Sequence, residues 1–263
     1  AATRTVFAFL LLIPVWLVHV RDEKRKGGYK LSLSPLEVIA GLSLGIHFVA
    51  WIASLYYTSV ASASVLVTFH PILMILAERL LFKVRFRGMV WAGVMVSFTG
   101  SALLGILDQQ PGETYSNPVL GNALAFTAAI IFAVYFLISR KVRQGSEWID
   151  YVIKIYGFAA LACLMVLFML DTEFRELLEP RLLLIGLLLA IGPQLMGHGS
   201  INYAVKFLSP TIISTLILIE PLFASIIAIM LFGEVPGPFA VGAMMIIFIG
   251  IALTWSRKKT VSA

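Results

Sequence analysis

The sequence predicts an all-α membrane protein, an inverted-repeat helical bundle with nine transmembrane helices in its 263 residues. Three observations carry that prediction. The chain is 60% hydrophobic and only 13% charged, with a mean hydropathy of +0.95, where a soluble domain carries about a quarter charged residues. The stretch YTSVASASVLVTFHPILMILAERLLF, Tyr57 to Phe82, is written again 150 residues later as FLSPTIISTLILIEPLFASIIAIMLF, Phe207 to Phe232. Basic residues gather in alternate loops, as they do when a chain weaves through a bilayer.

A helix needs about 20 apolar residues to cross roughly 30 Å of hydrocarbon. Nine stretches qualify, near 5–20, 36–57, 61–82, 88–107, 118–139, 149–170, 182–204, 210–232 and 237–255. The longest connections, 21–35, 108–117 and 171–181, leave no room for a soluble domain. The one cysteine, Cys163, falls inside a span, so no intramolecular disulfide can form.

At the constant offset Ser59 meets Ser209, Ser64 meets Ser214, Pro71 meets Pro221 and Phe82 meets Phe232. The match continues through Met95 with Met245, Phe98 with Phe248 and Gly100 with Gly250. Duplicated apolar helices, each broken at mid-depth by a polar residue and a proline, mark a transporter built from internal repeats. The first repeat occupies 1–107 and the second 118–255, followed by a basic tail at 256–263. The second repeat has five helices and the first four, which predicts a further helix upstream of Ala1 and ten spans in the complete protein. A start codon within a few residues of Ala1 would contradict this. Five helices per half make the two halves enter the membrane from opposite sides, an inverted repeat.

Fifteen basic residues lie after the first, third, fifth, seventh and ninth spans, among them Arg21, Lys83, Arg140, Lys206 and Arg257. The alternate loops hold only Arg175 and Arg181, among Asp171, Glu173, Glu176 and Glu179. The five basic segments and the C-terminus are therefore expected on the cytoplasmic side. The net charge of +6 records topology; a nucleic-acid surface is not expected.

Ionisable residues within spans are costly and are functional candidates by default. Glu220 lies about ten residues into its helix, and its repeat partner His70 is at the same depth in the other half. The pseudo-two-fold would bring the pair to opposite walls of a central site. A carboxylate in a low-dielectric site has a raised pKa and a histidine titrates near neutrality, so a proton could be held or passed there. The structural alternative has Glu220 protonated and bonded to a neighbouring helix, with His70 capping carbonyls. Pro71 and Pro221 each remove a main-chain hydrogen bond and clash with the carbonyl four residues back, so each helix is expected to kink at mid-membrane, freeing the carbonyls of Val67 and Ile217. His47 and His198 correspond if the repeat slips to an offset of 151, at which Gly41 also meets Gly192. Trp51 shares the helix face of His47 and offers a cation–π surface, or else faces lipid. Gln194 and Asn202 bracket His198. Four histidines, with no cysteine partner and no acid at ligand spacing, speak against a metal centre.

Other charges have ordinary readings. Glu78, Arg79 and Lys154 sit within about a turn or two of helix ends and can snorkel. Gly93, Ser97 and Ser101 suit close helix packing, within the chain or in a homodimer.

GNALAFTAAIIFAVYFLISRKV at 121–142, SLYYTSVASASVLVTFHPIL at 54–73, LILIEPLFASIIAIMLFGE at 216–234 and GAMMIIFIGIAL at 242–253 together resemble the EamA family of the drug/metabolite transporter (DMT) superfamily. The resemblance covers nearly the whole chain. It implies a ten-helix bundle with pseudo-two-fold symmetry, a central cavity between the halves, and export or exchange of small metabolites such as amino acids across a bacterial inner membrane. Two departures stand out. The first copy has Lys83 and Val84 where many members carry an acid, though the second keeps Gly233-Glu234, and His70 is not general to the family.

Three function classes remain open. A secondary transporter working by alternating access, with or without proton coupling, fits the repeats and the mid-depth polar residues together. A lipid flippase shares the fold. A membrane-embedded enzyme needs a nucleophile, metal set or carboxylate pair, and no such cluster is evident. No phosphate-binding glycine loop with a lysine is present, so no cofactor and no ATP-driven step within the chain is expected.

Overall fold

A computed structural model describes residues 1–30, 32–107, 115–170, 179–232 and 237–255. The acidic loop with Asp171, Glu173, Arg175 and Glu176, the Gly233-Glu234 turn and the basic tail lie outside them. Every expected span is helical. The helices are α1 (Ala2–Arg25), α2 (Pro35–Ser54), α3 (Val60–Val67), α4 (His70–Leu81), α5 (Gly88–Leu107), α6 (Pro118–Arg143), α7 (Trp148–Met169) and α8 (Pro180–Leu189). A π-helical segment (Ala190–His198) leads into α9 (Gly199–Ala204), and then follow α10 (Pro210–Ile217), α11 (Glu220–Phe232) and α12 (Pro238–Trp255). Among the described residues seven helical stretches are long and apolar enough to cross a bilayer, which makes this an integral membrane protein.

Three of the expected spans are interrupted, and in two of them the interruption is the same. Ser59 caps α3, its Oγ accepting from the Ser62 N–H at 3.0 Å, and Ser209 caps α10 by accepting from Ile212 at 3.3 Å. A side-chain oxygen there satisfies one of the orphan donors of a helix start. Both helices run eight residues, to Val67 and Ile217. Those are the carbonyls that Pro71 and Pro221 cannot bond. The chain turns through Thr68-Phe69 and Leu218-Ile219 and restarts at His70 and Glu220. Proline then occupies the second position of the new helix, where its missing N–H costs nothing. The break thus falls two residues before each proline and is a restart rather than a bend.

The chain divides into two compact units. One comprises Ala1–Ile52 and Val134–Phe207, the other Ala53–Ala133 and Leu208 onward. Each draws on both repeats.

In the second unit α5 packs along its own repeat equivalent, α12. A Cβ on Gly93 would meet the backbone of Gly250 and Thr254, one on Gly250 would come 2.7 Å from the Gly93 carbonyl, and one on Gly100 would meet Ile247 and Ala243. Positions rising along α5 therefore meet positions falling along α12, so the equivalents are antiparallel, as inversion demands. The Ser97 hydroxyl reaches the carbonyl of Ile247, its own counterpart, at 3.4 Å. A residue that touches its counterpart lies on the pseudo-two-fold axis. The small-residue face of α5 is thus filled from within the chain.

In the first unit α1 lies antiparallel to α7. Phe9 covers Gly157, while near the other end Trp16 Nε1 donates to Asp150 at 2.8 Å, joined by the Tyr29 hydroxyl at 3.1 Å and by His19 at 3.4 Å. Gly41 and Gly45 let α2 approach α7, where an added Cβ would sit 2.9 Å from the Ile155 carbonyl and 2.6 Å from that of Ala159.

Two charges do not snorkel. Lys154 is nearly buried and pairs with Glu37 at 2.8 Å, while Glu37 also accepts from the Ser34 N–H at 2.8 Å. Ser34-Pro35-Leu36-Glu37 is a capping-box spacing, and the lysine neutralises the buried carboxylate it holds. Glu78, 5% exposed, accepts from the N–H and the hydroxyl of Thr211 at 2.8 and 2.5 Å. It caps the start of α10 from another helix, where the unpaired donors and the helix dipole favour an anion. Arg143, too, is more than a topology signal, since it is 1% exposed and donates to the carbonyls of Asn202 and Ser146.

Gly250→Ala is expected to force α5 and α12 apart and to destabilise by about 1–3 kcal/mol. Gly242, with open space around it, should accept alanine without loss. Thermal unfolding of both variants in detergent checks this, and equal midpoints would contradict the packing.

Candidate functional site

The sequence-derived candidates fall into two groups, one in each unit. In the second unit His70 and Glu220 hold identical places in the two repeats, each the first residue after a break and followed by Pro71 or Pro221. His70 is 6% exposed with its ring 5.1 Å from that of Phe132. Glu220 is exposed. The two share a pseudo-symmetry position but not an environment. Around the first break Phe69 packs edge-on against Phe98 at 5.1 Å and Phe126 at 5.7 Å, while the Thr68 hydroxyl lies 3.2 Å from that of Ser101. This side-chain bonding holds the turn in place beside the interrupted backbone.

The remaining candidates meet in the first unit. His47 and His198 both pack on the ring of Phe48, at 5.4 and 5.1 Å between centroids. At the 151-residue offset His47 and His198 are repeat counterparts, and the Phe48 ring lies between them. Trp51 is half-buried on the same helix.

Gln194 and His198 belong to the π-helical segment, and Asn202 follows in α9. Pro193 explains the segment, because it has no N–H for the Leu189 carbonyl and the ladder widens to pass it. Such insertions recur at functional sites. Gln194 and Asn202 are fully buried. The Tyr156 hydroxyl donates to the Gln194 carbonyl at 2.7 Å, and the Tyr135 hydroxyl to Asn202 Oδ1 at 2.6 Å. Neither polar atom of the Gln194 carboxamide nor Nδ2 of Asn202 makes a well-aligned hydrogen bond, although both side chains border the Tyr156 hydroxyl. Leaving a buried polar group unmet costs about 1–3 kcal/mol, and buried polar groups are otherwise almost always bonded. Among the described residues no three His, Cys, Asp or Glu side chains are grouped to hold a metal.

Residue-level reading of the sequence missed Arg4, Tyr135, Tyr156 and the π-helical segment. A span starting at 5 makes Arg4 a flank, but it lies inside α1, with its guanidinium 4.0 Å from the centre of the Phe48 ring. Its signal was present, since no other formally charged residue occurs before Arg21. Pro193 among Gly192, Gly197 and Gly199 was the corresponding signal for the irregular helix. The tyrosines carried none, as an apolar helix gives no clue to which hydroxyl finds a buried amide.

A model of the EamA-like transporter family matches residues 1–106 and 119–256. A Clostridium kluyveri protein described as an uncharacterized transporter is 23% identical over 253 residues, spanning 95% of this chain and 80% of that protein. A solved crystal structure shares the fold, with a TM-score of 0.78 at 20% identity over 97% of this chain and 86% of its own.

Glu78→Leu is expected to strand the Thr211 N–H and hydroxyl and to cost about 2–3 kcal/mol, with Glu78→Gln, which keeps an acceptor, costing less. Unfolding midpoints in detergent give the order parent, Gln, Leu. A leucine variant as stable as the parent would remove the cap from the account of α10.

Proposed function

This chain belongs to the EamA-like transporter family of the DMT superfamily, and on that premise we propose that it is a secondary transporter, an exporter or exchanger of small metabolites such as amino acids. It works in the bacterial inner membrane with its C-terminus in the cytoplasm, and it does no covalent chemistry. The two inverted repeats rock about the polar residues at mid-depth, so that the substrate space opens to one side and then the other. His70 and Glu220, with the backbone freed at Pro71 and Pro221, bind substrate or the coupling ion. His47, Trp51, Gln194, His198 and Asn202 contribute to the substrate path.

The observation that carries this reading is the repeated break. An isolated break in a membrane helix is a packing feature in many proteins. Two serine-capped breaks of equal length, each placing an ionisable residue and a proline at the restart, point to a site on a symmetry-related pair of elements. Irregular backbone at membrane depth is tolerated where it lines a cavity or is buried in protein, and half-helix ends are where transporters hold substrates and ions. Proton coupling follows if Glu220 changes protonation as the halves move. A lipid flippase is the competing reading, and a substrate space open sideways to the bilayer would favour it.

Full-length protein in sealed liposomes tests both points through counterflow of a labelled amino-acid panel, with and without a pH gradient, for the parent and for Glu220→Gln. Exchange by both proteins, with only the parent responding to the gradient, is the expected outcome. Exchange indifferent to the gradient in both makes the protein a facilitative carrier with a structural Glu220. Failure of both to move any amino acid brings the lipid reading forward.

A further inference from the structure

The polar interior of the first unit is rich in donors, and that bears on the chemistry of what is carried. Arg4 projects from α1 at a depth about 25 Å along the helix from Arg21, at roughly 1.5 Å per residue. Its guanidinium covers one side of Phe48 at 4.0 Å, while His198 meets the same ring edge-on at 5.1 Å. His47 packs on the same ring at 5.4 Å, so Phe48 gathers Arg4 and both histidines around it. Four residues before His198, the Gln194 carboxamide is fully buried beside the Tyr156 hydroxyl, with neither atom in a well-aligned hydrogen bond. Four residues after it, Asn202 has its oxygen taken by Tyr135 and its Nδ2 unmet.

An apolar ligand would leave those amides as they are, and a cationic group would be repelled by Arg4. An anion answers both. Guanidinium and carboxylate make paired, charge-assisted hydrogen bonds in a fixed plane, and a carboxylate has acceptor capacity to spare for an amide N–H. We propose that Arg4, Gln194 and Asn202 form an anion subsite beside His198 within the first unit, which takes the carboxylate of the transported substrate. Arg4 supplies the charge, Gln194 and Asn202 supply amide donors, and Phe48 holds the guanidinium in place from its far side. The assignment rests on the transporter reading for its purpose and on the unmet amides for its existence.

The test separates the two. Purified full-length protein in detergent is screened by thermal unfolding against amino acids, 2-oxo acids and dicarboxylates, against the carboxamide of each, and against inorganic phosphate. At least one carboxylate is expected to raise the midpoint where its carboxamide does not. Arg4→Gln should weaken that response at least tenfold in apparent Kd, with Arg4→Lys intermediate. Gln194→Leu guards against loss of folding, because it removes an amide that makes no well-aligned hydrogen bond. Its unliganded midpoint should equal or exceed that of the parent while its response to the carboxylate falls.

Equal responses to acid and amide, an undiminished response in Arg4→Gln or Gln194→Leu, or stabilisation by phosphate and by no carboxylate would overturn the assignment. A carboxylate that stabilises the protein but fails to cross in the liposome assay leaves the subsite standing and removes the carrier reading for that compound.

Discussion

A proline has no amide hydrogen, and in hydrocarbon a carbonyl left without one has no water to turn to. Much of the distinctive structure follows from where the chain accepts that cost. At Pro71 and Pro221 the helix stops at the carbonyl that would have gone unbonded, turns, and restarts with the proline where no donor is needed. At Pro193 the ladder widens into a π-helical segment and carries Gln194 and His198 with it. Pro14, by contrast, sits within an unbroken α1. Proline alone therefore does not dictate a break. The serine caps at Ser59 and Ser209 fix where α3 and α10 begin, and each helix ends at the carbonyl four residues before its proline.

The compact units cut across the sequence repeats, and inversion explains why. Counterparts related by a pseudo-two-fold pack antiparallel on each other near its axis, as α5 does on α12. Each unit is thus assembled from both repeats. Symmetry governs the backbone more than the chemistry. His70 is buried against Phe132 where Glu220 is exposed, and Glu78 caps α10 from a position whose counterpart in the second repeat is Ala228. An ancestral duplication fixes the frame, and single side chains then make the two copies unequal.

Most of this frame was legible in the sequence because lipid makes the rules simple. Composition, span length, the 150-residue offset and the prolines each follow from needing apolar faces and bonded backbones, and the helices came out as expected. Charged side chains were harder. Glu78 and Lys154 look like snorkelling residues when only distance to a helix end is counted. Their partners Thr211 and Glu37 are over a hundred residues away in sequence, and nothing local announces a long-range bond. Arg4 was hidden by a span boundary set one residue too late. The polar face at Gln194, His198 and Asn202 was visible as spacing, while the unmet amides that give it meaning depend on packing.

The most direct measurement is the accessibility of the two restart positions from each side of the membrane. His70→Cys and Glu220→Cys, each in a Cys163→Ala background, would be exposed to a membrane-impermeant maleimide in right-side-out and in inside-out vesicles. Alternating access about the paired breaks predicts labelling from both sides at both positions, in proportions that shift when substrate is added. Labelling from one side only, whatever the substrate, or from neither side, would contradict it.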